Sequence, residues 1–179
     1  MCGIHGFSRS MHGKKSKESI KKMIAASHSR GPDGNGLYID KNIVMGHNLL
    51  AITEEPSLSI QPIETDRSVL CYNGEIYNYK QLKKRLEKSG HSFEGNSDTE
   101  ILLKSIIEWG DECINDLDGM FAIAYYDKAK NTLLLCRDSS GTKPIYWSKN
   151  NNGIIFSSSL KSLFSVGLDR RLDMDGYKI

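Results

Sequence analysis

The order of the periodic segments constrains the fold of this chain more than any single motif does. A strand-like opening (residues 2–8) precedes a helical stretch (17–28) with Ile20, Met23, Ile24 and Ser27 on one face. Short apolar runs follow at 37–39, 43–50 and 69–72, then two amphipathic helices at 78–88 and 97–109 and a short helix near 111–117. The last third is strand-rich (120–126, 132–137, 145–148, 154–158) and closes on a short helix at 160–165. Strands and helices do not alternate one for one, as the βαβ units of a parallel sheet require. The order therefore predicts an α+β protein whose antiparallel sheets are covered by helices. Two facing sheets between helix layers would use every element, although spacing alone does not select that arrangement.

Local signals mark the joints. Arg30-Gly31-Pro32-Asp33-Gly34 breaks the first helix and reads as a turn, and Asp40-Lys41-Asn42 separates two strands. Gly90 and Gly110 follow the ends of the two long helices. Ser97 with Glu100 three residues on has the pattern of a capping box. The stretches 127–131 and 150–153 read as hairpin turns. At 179 residues the chain is long enough for one domain with a sizeable core, placed here at 1–168 with 169–179 as the start of a linker.

Composition excludes several classes of function. Net charge is only +2, and the basic run Lys14-Lys15-Ser16-Lys17 with Lys21-Lys22 is interrupted by Glu18 and carries no interleaved aromatics. It reads as a solvated helix face, and no nucleic-acid partner is expected. No apolar run is long enough for a membrane span, and no signal core opens the chain, so a cytoplasmic protein without a membrane partner is expected. The four cysteines have no metal-knuckle spacing and the five histidines form no helical pair, so no metal site is expected. Cys71 and Cys136 sit in apolar runs and read as small buried residues of a reducing compartment.

Three segments pair polar side chains with glycines beside apolar runs. In Met1-Cys2-Gly3, loss of Met1 would leave Cys2 with both a thiol nucleophile and a free α-amine. These groups titrate near ~8.5 and ~7.7–8.0, so proton exchange between them is nearly balanced and no histidine is needed. The alternative is a plain strand start. Asn73-Gly74-Glu75-Ile76-Tyr77-Asn78 reads either as a tight turn, which the dipeptide alone favours, or as two oxyanion donors, the Asn73 amide and the Gly74 N–H. Asp98 is either part of an ordinary helix start or a carboxylate able to grip a substrate ammonium.

These segments occur in order with Arg30-Gly31-Pro32-Asp33-Gly34, Gln61-Pro62, Asp118-Gly119-Met120-Phe121-Ala122, Arg137-Asp138 and Lys143-Pro144-Ile145-Tyr146. Over about residues 2–165 the chain resembles the N-terminal glutaminase domain of glutamine-hydrolysing asparagine synthetases, class II amidotransferases of the N-terminal-nucleophile hydrolase type. The resemblance implies a four-layer αββα sandwich. It implies that Cys2 attacks the glutamine side-chain amide, releasing ammonia and then glutamate, with Asn73 and Gly74 on the oxyanion. Asp98 with Glu75 would hold the substrate ammonium, and the backbone near Ile52 would line the glutamine pocket. The implied partner is a C-terminal synthetase domain that receives the ammonia. ATP and Mg2+ would act only there, and this domain would need no cofactor.

The chain departs from that family at two places. It reads His47-Asn48-Leu49-Leu50-Ala51-Ile52 where the family has His-x-Arg-Leu-x-Ile, so Leu49 replaces an arginine that grips the substrate α-carboxylate. It also reads Ser158-Ser159-Leu160-Lys161 where the family has Ser-Glu-x-Lys. Leu49 keeps two alternatives open: a degenerate regulatory domain with impaired glutamine binding, or amide transfer serving an acceptor other than aspartate. No Ser-Gly-Gly-x-Asp-Ser pyrophosphate loop occurs in the sequence.

Overall fold

A computed structural model describes residues 1–51, 60–93, 95 and 97–170. Among the described residues the α-helices and strands follow one another as β1 (Gly3–Ser8), α1 (Ser16–Ala26), β2 (Gly34–Ile39), β3 (Ile43–Leu49), β4 (Ile63–Glu64), β5 (Ser68–Ile76), α2 (Tyr79–Lys88), α3 (Asp98–Trp109), β6 (Gly119–Asp127), β7 (Thr132–Arg137), β8 (Tyr146–Asn150), β9 (Gly153–Ser157) and α4 (Leu160–Ser165). The first sheet has the order β2-β3-β1-β9-β8 and the second β4-β5-β6-β7. Every pairing is antiparallel.

Side-chain alternation sorts these strands into layers. From β5, Val69 and Cys71 join Ile4, Ile43, Met45 and Phe156 in a core between the two sheets. Their neighbours Leu70, Tyr72 and Ile76 point the other way, against Leu82 and Leu86 of α2 and Ile101, Leu102 and Ile106 of α3. On the far side Phe7, Val44 and Ile155 pack under Ile20, Met23 and Ile24 of α1 and Leu163 of α4. The result is the four-layer αββα sandwich with helices outside and two antiparallel sheets within. β3 is buried at all seven positions because it is covered on both faces. Ser162 Oγ donates to the Met23 carbonyl (2.8 Å), tying α4 to α1.

Several sequence expectations are corrected. Asn73-Gly74 is no turn: β5 runs through it to Ile76, paired with β6 along its whole length. The approach is so close that a Cβ on Gly74 would collide with the Met120 carbonyl and the Phe121 backbone, so only glycine fits. Ser97 stands before α3 in extended backbone but makes no side-chain cap, and Glu100 instead pairs with Lys104 one turn on (2.6 Å). Cys71 is fully buried, whereas Cys136 is only partly covered, because β7 forms the edge of its sheet. Among the described residues no helix is long and apolar enough to cross a membrane.

Candidate active site

Cys2 lies at the mouth of the first sheet, one residue before β1, where Gly3 pairs with Asn48 of β3. That register carries the sulfur to the segment that follows β3. The Leu50 N–H donates to Cys2 Sγ at 3.4 Å, and the thiol faces the Leu50 carbonyl at 3.8 Å. The segment is fastened from behind by the turn after α1. Asp33 N–H donates to the Leu49 carbonyl (3.0 Å), and the Asp33 carboxylate accepts from Ala51 N–H (2.8 Å). Gly31 lies flat on the same backbone, and a Cβ there would come within 2.6 Å of Asn48 and Leu49 main-chain atoms. Arg30 reaches over the terminus and donates from Nε to the Cys2 carbonyl (3.2 Å). Burial pulls the Arg30 pKa down, while the thiol of Cys2 and the hydroxyl of Tyr146 act in the opposite sense. The nucleophile candidate therefore has a guanidinium beside it.

A buried network stands behind β1. His5 Nδ1 meets Ser157 Oγ (2.9 Å) and His5 Nε2 meets Asn48 Oδ1 (2.8 Å). Burial lowers the His5 pKa to about 4, with the Asn48 bond opposing and Arg30 adding to the shift. The ring is neutral at pH 7 and spans three neighbouring strands, β1, β3 and β9. It fixes the sheet on which Cys2 rides.

The second sheet supplies the donors. The Phe121 N–H donates to Asp138 Oδ2 (3.1 Å) and its carbonyl accepts from Asp138 N–H (2.9 Å). Both main-chain groups of Phe121 thus face away from its partner Gly74, which makes Gly74–Phe121 a non-hydrogen-bonded pair. The N–H groups of Tyr72, Gly74 and Ile76 consequently point to the other edge of β5. Gln61 Oε1 takes the Tyr72 N–H (2.6 Å), and Asp98 Oδ2 takes the Ile76 N–H (3.0 Å). Between them the Gly74 N–H lies beyond β4, which pairs only with Val69 and Leu70. Asn73 is 3% exposed, and its Nδ2 has no partner among the described residues. By alternation its side chain shares the face of Val69 and Cys71, toward the sheet that carries Cys2. Two neighbouring donors on β5 are thus left without an acceptor among the described residues.

Asp98 sits at the first residue of α3, and its Oδ2 also accepts from Tyr72 Oη (2.7 Å). Burial and the Asp98 carboxylate push the Tyr72 phenol well above its usual range, so it stays a donor. Asp98 is thereby anchored to β5 on both sides of Gly74. Glu75, the next residue along, is exposed. Ile52 lies outside the described residues. Among the described residues no cluster of His, Cys, Asp and Glu could hold a metal ion.

Leu49 is buried at 4% exposure, on the face of β3 that looks toward the second sheet. The sequence reads Arg30–Gly34 as a turn and as a motif of the resemblance, and assigns Arg30 and Asp33 no role as supports of Cys2. The available signal was an Arg and an Asp bracketing Gly-Pro, a composition that a purely conformational turn does not need.

Residues 1–178 match the glutamine amidotransferase domain family model. The chain is 34% identical to glutamine-hydrolysing asparagine synthetase 3 of Bacillus subtilis over 184 residues, covering 98% of this chain and 30% of that protein. It is 32% identical to glutamine-hydrolysing asparagine synthetase B of Escherichia coli over 170 residues, covering 93% of this chain and 30% of the relative. The chain thus spans about a third of the length of these curated relatives. The glutamine phosphoribosylpyrophosphate amidotransferase of B. subtilis, solved with ADP and GMP, superposes with a TM-score of 0.74 at 20% identity, over 93% of this chain and 44% of that one. That likeness is one of fold.

Proposed function

The chain belongs to the glutamine amidotransferase domain family, and from that premise we propose that Cys2, made N-terminal by removal of Met1, hydrolyses the side-chain amide of glutamine. The Sγ forms a bond to the amide carbon while its proton passes to the Cys2 α-amine. The carbonyl oxygen becomes an oxyanion, held by Asn73 Nδ2 and the Gly74 N–H. Collapse breaks the C–N bond, and the α-amine returns the proton to the leaving nitrogen. The products of this half are a γ-glutamyl thioester on Cys2 and ammonia. Water then attacks the thioester and releases glutamate, restoring the thiol.

The observation that supports this reading most is the pair of donors on β5 without acceptors, on the strand facing the sheet of Cys2. Loss of one such donor costs ~10²–10³ in rate. Asp98, with Glu75, is placed by this reading at the substrate ammonium, and the Leu50–Ile52 segment at the pocket wall. The proposed partner is a synthetase domain that takes up the ammonia, with ATP and Mg2+ confined to it and no cofactor in this domain. Buried Leu49 favours a second reading, in which the site grips the substrate α-carboxylate weakly and serves a regulatory role.

An electrophilic glutamine analogue separates the two. Met1-free protein should gain the mass of one analogue on Cys2, with Cys2→Ala inert. Absence of an adduct on correctly processed protein would favour the regulatory reading.

A further inference from the structure

Among the described residues, five buried side-chain atoms have no protein hydrogen-bond partner: His12 Nε2, Arg30 Nη2, both ring nitrogens of His47, and Asn73 Nδ2. Three of these five belong to His47 and Asn73. Ile43 and Met45 of β3 face the inter-sheet core, so His47, two residues further, faces it too. The same alternation puts Asn73 of β5 on the opposing face. The strands are in contact there: Cys71 Sγ approaches the Gly46 carbonyl at 3.9 Å, and the Tyr72 backbone faces one nitrogen of the His47 ring as a weak hydrogen-bond partner, short of a well-formed bond. His47 and Asn73 therefore project from facing strands into the same end of the sheet interface, the end that carries Cys2.

His47 is 0% exposed. Burial, with a smaller contribution from His5, lowers its pKa to about 3, against a weak opposing effect of the Tyr72 backbone. At neutral pH it presents one N–H donor and one bare acceptor nitrogen. Buried polar atoms are costly unless they are hydrogen-bonded, and a bridging water is the usual remedy in a polar interior. Asn73 offers a donor, and the imidazole offers an acceptor. One molecule that accepts from the Asn73 amide and donates to the bare His47 nitrogen serves both, while the Tyr72 backbone faces the ring's remaining nitrogen.

We propose that His47 and Asn73 share a buried site for a single water, and that this water fixes the Asn73 amide in the orientation of an oxyanion donor. His47 is then a positioning residue, acting through Asn73. The proposal rests on the role given to Asn73 under the proposed function.

Two measurements test it. A high-resolution crystal structure of the Met1-free protein should show one ordered water within hydrogen-bond distance of a His47 ring nitrogen and of the Asn73 amide. An interface closed by apolar atoms, or a His47 ring bonded directly to protein on both sides, would overturn the site. In kinetics His47→Leu should lower kcat for glutamine roughly tenfold to a hundredfold, a part of the cost of losing an oxyanion donor. KM should stay near its original value, because the lost interaction belongs to the transition state. His47→Gln, which can still hold the water, should recover most of kcat. Wild-type kcat in His47→Leu, or parallel loss in both variants, would overturn the positioning role. If the wild-type protein hydrolyses no glutamine, the proposed function fails, and the crystal structure still decides whether the water site exists.

Discussion

At the level of single residues, the site is assembled from groups that the protein deliberately leaves half-satisfied or props from behind. Cys2 is propped: the Leu50 amide holds its sulfur, Arg30 its carbonyl, and Asp33 the segment beneath. Among the described residues Asn73 and Gly74 are left with open donors. Leu49 is the residue that fits least well with glutamine binding. Leu49→Arg should lower KM for glutamine by about ten- to a hundred-fold, since a charge-assisted hydrogen bond contributes ~1.5–3 kcal/mol. Because position 49 is buried, the same guanidinium should lower Tm in the absence of ligand and regain it when glutamate is added. Unchanged KM would mean that the α-carboxylate is held elsewhere. Cys2, Asn73 and Asp98 could be singled out in the sequence because each pairs a reactive or polar group with a glycine or a helix start. Arg30 could not, because its importance comes from reaching back over 28 residues to the chain terminus.

At the level of elements, sequence periodicity was a good guide wherever one face of a segment is buried. The helix with Tyr79, Leu82 and Leu86 on one side, the α3 stripe of Ile101, Leu102 and Ile106, and the strands of the last third all formed near their expected bounds. Gly90 and Gly110 end α2 and α3 where the sequence places them, with φ of +93° and +71°. The Asn73-Gly74 reading failed for a tertiary reason. The dipeptide has the local chemistry of a turn, but β6 supplies a full-length partner whose Gly119 and Phe121 lie directly opposite Ile76 and Gly74. Long-range pairing overrides a two-residue preference. β4 was missed because two residues carry no period, and its register is set by Ser68 and Thr65 around the intervening turn. The capping pattern at Ser97 predicted the right helix start for a reason that the side chains do not use.

At the level of the whole molecule, two buried neutral imidazoles couple stability to pH. An unfolded histidine titrates near ~6.5. In the folded protein His5 titrates at about 4 and His47 at about 3. Between those values and 6.5 the unfolded chain binds more protons, so stability is full above pH 6.5 and falls as pH drops toward 4. Each histidine contributes up to ~1.4 kcal/mol per pH unit in that window. Urea unfolding from pH 7 to pH 4 should show a steep loss of stability, and His47→Leu should roughly halve the slope. A flat profile would show that neither ring is buried as described. Asp138 adds a second, more acidic step. Burial opposes ionisation of its carboxyl, but N–H donors from Thr142, Lys143 and Phe121 outweigh it and bring the pKa to about 2. Its contribution is present above the ordinary carboxylate range near ~3.9 and is lost as pH falls toward 2. The four layers themselves were foreseeable only as an α+β order of segments. Which sheet faces which helix pair depends on strand order, and that is set by contacts between β1 and β9 separated by some 150 residues.

Glutamate release from L-glutamine is the most direct test of the account, measured on protein whose loss of Met1 has been confirmed by intact mass, with Cys2→Ala alongside. The account predicts steady turnover that disappears entirely with Cys2→Ala. Turnover that persists in Cys2→Ala, or none at all from correctly processed wild-type protein at saturating glutamine, would contradict it.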